Sequence, residues 1–97
     1  MMETPIISPE VMARYAGDAA LEVDGVSSLA GTAPEVTLRG GSADVVVDVE
    51  LRWGAESGDV ARQVQERVAE YLGRMAELEV GSVDVVVERV GAPPAKQ

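Results

Sequence analysis

The stretch Ala43 to Gly54, ADVVVDVELRWG, constrains the fold more than any other part of the chain. Val45, Val47, Val49, Leu51 and Trp53 alternate with Asp44, Val46, Asp48, Glu50 and Arg52. Side chains of a β-strand point to opposite faces in turn, so this pattern predicts a long strand with one apolar and one largely acidic face. A shorter echo follows in SVDVVVERVG, Ser82 to Gly91, where Val83, Val85 and Val87 alternate with Asp84, Val86 and Glu88. Two such strands need a cover for their apolar side. With 17 Val, 13 Ala and no Phe in 97 residues, the chain has a Val-rich core that favours sheet, because β-branched side chains fit a pleated surface.

Two helices supply the cover. Ser8-Pro9-Glu10 predicts a helix start: Ser8 can cap, Pro9 suits the first turn, and Glu10 favours the positive end of the dipole. Val11, Tyr15 and Ala19, with Met12 and Ala16, recur at helical spacing, and Asp24-Gly25 supplies a stop after Leu21 or Glu22. A second helix is expected after the turn at Gly54 to Gly58, capped by Ser57. Its stripe is Val60, Val64, Val68, Leu72 and Met75, with Glu70 and Arg74 placed for an ion pair and Gln65 for a surface or boundary hydrogen bond. Val26 to Leu29 and Val36 to Leu38 read as short strands. Between them AGTAPE reads as a loop, and Arg39-Gly40-Gly41-Ser42 forms a turn into the long strand. Trp53, sharing the parity of the valines, is expected to cap the core.

The resulting expectation is one α+β domain over residues 1–97, with a core from about residue 7 to about residue 90 and a frayed tail over residues 91–97. Two helices pack on one face of a small, mainly antiparallel sheet in the order α-β-β-α-β, with extra short strands. Val47, Val49, Val64, Val68 and Val85 are expected to be buried. LEVDGV at Leu21 resembles LEVGSV at Leu78, an echo of shared helix-to-strand chemistry or of a duplicated αβ unit.

Composition narrows the chemistry. Cys and His are both absent, which excludes thiolate, disulfide and imidazole chemistry. No apolar run is long enough to span a membrane, and MMETPIIS lacks the basic and apolar regions of a signal peptide. The net charge is −9 and the few cationic residues stand singly, so nucleic acid is not an expected partner. That also weighs against a KH-like RNA binder of the same size, as does the lack of a Gly-x-x-Gly loop flanked by basic residues. Arg39-Gly40-Gly41 has no Gly-Lys-Ser/Thr continuation and reads as a hairpin, not a phosphate loop.

The acidic strand face is the candidate functional surface: Asp44, Val46, Asp48, Glu50, Asp84, Val86 and Glu88. Val46 and Val86 are apolar residues set among acids on the solvent side, the composition of a protein-binding face. A solvated sheet face is the plain alternative. A cation-binding or hydrolytic module using the same carboxylates is the third.

Taken in order, several phrases resemble the alkaline shock protein family of envelope stress response proteins. ISPEVMARYAGDAALEVDGV is similar to the family's opening, and VVVDVELRWG to its long strand ending in an aromatic residue and Gly. VARQVQERV, with Val64-Gln65, is similar to its second helix, and MAELEVGSVDVVVERV to its last strand. The resemblance implies a non-enzymatic cytosolic protein of cell-envelope homeostasis in Gram-positive bacteria, with no catalytic, cofactor or metal residues. It further implies protein partners, self-association, and contact with the membrane only through a membrane-anchored partner.

The charge generates a direct test. A gel-shift titration with RNA or duplex DNA at about 150 mM salt should show no binding tighter than the roughly 10⁻⁴–10⁻⁶ M usual for non-specific association. Binding tighter than about 10⁻⁶ M there would contradict the reading.

Overall fold

The computed structural model describes residues 8–31, 33–76 and 79–93. Six elements follow in order: α1 (Pro9–Leu21), β1 (Val26–Leu29), β2 (Glu35–Arg39), β3 (Ser42–Leu51), α2 (Ser57–Ala76) and β4 (Glu79–Val90). This is the expected α+β arrangement, with the short strands present.

β3 organises the sheet. β4 runs along one of its edges over ten register pairs, from Ser42↔Glu79 to Leu51↔Val90, and is parallel to it. β1 and β2 therefore share the other edge, end to end, both antiparallel to β3. Two of the three pairings are antiparallel. The parallel one is the longest, and it requires a crossover, which α2 provides. The loop Ala30 to Pro34 separates β1 from β2, with Gly31 at φ 59° and Pro34, which has no N–H to give a ladder.

The core lies between β3 and the helices. Ala43, Val45, Val47, Val49 and Leu51 are essentially inaccessible, as are Val64, Val68 and Leu72 of α2. Met75 ends that stripe exposed, at the last turn of the helix. Val85 is only half-buried, because β4 is the margin of the sheet and α2 covers it incompletely.

Helix α1 is rotated from the expected stripe. Its buried residues are Met12, Ala13, Ala16, Gly17, Ala19 and Ala20, while Val11 and Tyr15 are half-buried. The helix serves two neighbours, so its face is wide and built of small side chains that allow close approach. Tyr15 sits at the seam with α2, edge-on to Tyr71 with ring centroids 5.8 Å apart. Ser8 caps as expected, its Oγ accepting from the Val11 N–H at 3.2 Å. The cap of α2 is Glu56 rather than Ser57: its carboxylate accepts from the N–H groups of Gly58 and Asp59 at 3.1 and 2.9 Å. A carboxylate there meets both orphan donors and the helix dipole. The Arg74–Glu70 pair forms at 3.5 Å, and Gln65 Nε2 donates to the Val83 carbonyl at 3.0 Å, tying α2 to β4.

Trp53 does not cap the core; it is 57% exposed. The strand ends at Leu51 and the chain turns through Gly54 at φ 88°, so alternation no longer sets direction two residues past the end. Leu78, the start of the second LEV phrase, and residues 94–97 of the expected tail lie outside the described residues.

Gly25 has a packing role. A Cβ built on it would lie 2.4 Å from Val60 Cγ2 and 3.3 Å from Ala55 Cβ. The chain leaving α1 therefore presses directly on the start of α2. Gly25→Ala should lower unfolding stability by about 1–3 kcal/mol through overpacking. In a Val60→Ala background the same change should cost less than about 0.5 kcal/mol, because the clashing methyl is gone. Chemical denaturation of the four variants checks this, and equal costs in both backgrounds would remove the contact as the cause.

Candidate functional site

The face of the sheet away from the helices is built by three rows. Register places Glu35 beside Val46 and Thr37 beside Asp44 on the β2 side. On the β4 side Ser82 lies beside Asp44, Asp84 beside Val46, and Val86 beside Asp48. Val46, Asp84, Asp48 and Val86 thus form a checkerboard of two valines and two carboxylates at the centre. Val46 is half-buried and Val86 is 41% exposed. The structure brings together six of the seven expected residues on this face.

The seventh, Glu88, is displaced. The β3–β4 register slips between Val49↔Val87 and Glu50↔Arg89, leaving Glu88 as the extra residue of a bulge. Arg89 takes the place beside Glu50. A second slip at Gly81 separates Ala43↔Val80 from Asp44↔Ser82. A Cβ at Gly81 would approach Asp44 Oδ1 to 2.7 Å, so glycine makes room for that carboxylate.

The carboxylates differ in their partners. Asp44 pairs with Arg39 at 2.9 Å and accepts from Ser82 Oγ at 3.1 Å. Glu50 accepts from Ser28 Oγ at 3.2 Å and has Arg89 beside it in register. Among the described residues, Asp48 and Asp84 have neither an ion pair nor a side-chain hydrogen bond. One end of the face thus carries an ion pair, at Asp44, and the other a hydroxyl hydrogen bond, at Glu50; the central pair has neither among the described residues. A hollow of about 150 Å³ opens beside Val46, lined by Ala33, Glu35, Val46 and Asp48.

Sequence reasoning missed Glu35, Thr37, Arg39, Ser82 and Arg89 as members of this face. The first three were within reach, since a two-residue Gly40-Gly41 loop fixes the β2–β3 register. Ser82 and Arg89 depend on the bulges, for which Gly81 was the one local sign.

Chemically the face offers carboxylates in water. No charged or polar side chain among the described residues is buried. No three His, Cys, Asp or Glu side chains among them converge as a cation site. A second concavity, between α1 and the segment joining β1 to β2, has an apolar floor of Ala13, Gly17, Leu29 and Pro34, with Glu10, Arg14 and Asp18 of α1 also lining it.

No family model matches the chain, and no curated protein matches it. Solved structures do. A copper form of a MamM CTD variant superposes with a TM-score of 0.58 at 16% identity, covering 82% of this chain and 95% of that one. A nickel form of another variant gives 0.58 at 15% identity over 82% and 96%. A third variant gives 0.59 at 16% over 82% and 95%. The chain is therefore an α+β domain with the fold of these MamM CTD structures, matched over nearly their whole length.

Proposed function

We propose that this chain is a non-enzymatic binding domain of the alkaline shock, envelope-stress type, which engages a protein partner through the open sheet face. The observation that carries the proposal is the central checkerboard. Val46 and Val86 give an apolar middle, and Asp48 and Asp84 give charges that have no ion pair or side-chain hydrogen bond among the described residues. Binding surfaces commonly place apolar groups at the centre and polar groups around them. The complementary partner is a segment bearing Lys or Arg, whose aliphatic stems lie on the valines while the charged ends reach the carboxylates. The hollow lined by Glu35 and Asp48 adds a further carboxylate beside Val46. Among the described residues no helix is long and apolar enough to cross a membrane. A membrane-anchored partner with a basic segment fits that reading.

Val46→Lys tests it. The position faces away from the core, so the thermal midpoint should hold within a few degrees, as for most surface substitutions. Recovery of partners from extracts of the native host should fall. For wild type it should also fall as salt rises, since screening acts over roughly 8–10 Å at ordinary ionic strength. Undiminished recovery of every partner by the variant would leave the face merely solvated.

A cation-binding role is the second reading. It is favoured by the fold shared with structures solved in copper and nickel forms. Here it would have to use oxygen ligands, with Asp48 and Asp84 the nearest candidates, because His and Cys are absent. A true site raises the thermal midpoint with ligand concentration. Melts with and without millimolar calcium, magnesium, nickel or copper separate the readings: the protein-binding proposal expects no concentration-dependent rise.

A further inference from the structure

Among the described residues, Gln65 is the one side chain of α2 that hydrogen-bonds the sheet, its Nε2 donating to the Val83 carbonyl at 3.0 Å. Gln65 is itself exposed, while Val64 and Val68 beside it are inaccessible. Buried side chains such as these fill the space between α2 and the β3–β4 seam. An exposed glutamine therefore reaches the sheet only around its margin, and the carbonyl it meets points away from β3. Ala61 and Ala69, one turn to either side of Gln65, are small and half-buried, so the helix runs close enough to that margin for the side chain to span the gap.

That margin is the outer edge of β4. Among the described residues β4 pairs with β3 alone, and an unpaired edge is a template for a further strand. Alternate residues of a strand turn their backbone groups to the same side. With the Val83 carbonyl directed outward, the backbone groups of Val85 and Val87 are directed outward as well. Their side chains are half-buried valines, an apolar row that an added strand would help to cover. The bulges at Gly81 and Glu88 limit the regular stretch to Ser82 through Val87. Within it three residues offer ladder geometry outward, and Gln65 holds the first of them at the distance a neighbouring strand's N–H would take.

We infer that Gln65 guards the edge of β4: its side-chain amide, seated on Val83, blocks the addition of a further strand there. The bulges alone leave three outward residues, enough to seed a short strand pair. With Val83 occupied, only Val85 and Val87 remain, and a strand seeking them must first displace the glutamine. The contact concerns backbone groups in the plane of the sheet, so it stands separately from the protein-binding reading of the open face.

Amide hydrogen exchange of the whole chain over a series of protein concentrations, reaching the millimolar range, tests the inference. In wild type the Val85 and Val87 amides should exchange at rates that do not change with concentration. In Gln65→Ala they should become protected as concentration rises, because strands now add at the freed edge. Exposing one carbonyl to a ladder bond should tighten that association roughly threefold to tenfold. Gln63→Ala, on exposed α2 surface away from the sheet, should behave as wild type. The Val47 and Val68 amides should stay protected in every variant, showing that folded chains associate. Concentration-dependent protection of Val85 and Val87 already present in wild type would overturn the proposal. So would its absence in Gln65→Ala, or an equal effect of Gln63→Ala. Loss of protection at Val47 and Val68 in Gln65→Ala would make the glutamine a support of the fold and overturn its role at the edge.

Discussion

The structure depends on β3 having neighbours on both edges and on one face at once. Its five core-facing residues, Ala43, Val45, Val47, Val49 and Leu51, are at most 1% exposed. A strand in that position pairs its backbone with β1 and β2 on one side and with β4 on the other, which is what lets it be buried. Burial of its apolar row against the helices contributes on the order of 25 cal/mol per Å² removed from water. In a domain this small there is no second core to share the load.

That central row dictates the character of the helices. Valines stand short on the sheet, so a helix must come close to reach them. Helix α1 does so through Ala13, Ala16, Gly17, Ala19 and Ala20. At Gly17 a Cβ would lie 2.9 Å from Leu29 Cδ1, and at Gly25 one would press on Val60. Helix α2 approaches with a longer valine stripe and is pinned by the Gln65 side chain to the backbone of β4. The two glycines mark where α1 meets β1 and where the chain leaving α1 meets α2, two close approaches at junctions between elements.

With one face committed to the core, the remaining surfaces divide by charge. At the ends of the open face Asp44 is ion-paired with Arg39, and Glu50 accepts from Ser28 with Arg89 beside it in register. Its centre retains Asp48 and Asp84 beside two valines. The edge of β4 differs: Val85 and Val87 there are only half-buried.

The sequence by itself determined what period and local chemistry can carry. The ten-residue alternation of β3, the Val60 to Leu72 stripe and the Ser8 cap are all legible, because each depends on residues within a few positions of one another. The separation of Asp44, Val46, Asp48 and Glu50 from the core follows from the same alternation. The tertiary structure alone decided the rest. It made β4 parallel to β3, rotated α1 onto its alanines, and turned Trp53 out past the end of its strand. It also placed bulges at Gly81 and Glu88, exchanging Glu88 for Arg89 beside Glu50. The physical reason is common to these outcomes. Side-chain direction along one strand repeats every two residues and is local. Pairing register, strand direction and helix rotation are set by contacts between segments far apart in the chain, and a slip of one residue in such a contact changes which side chain the face presents.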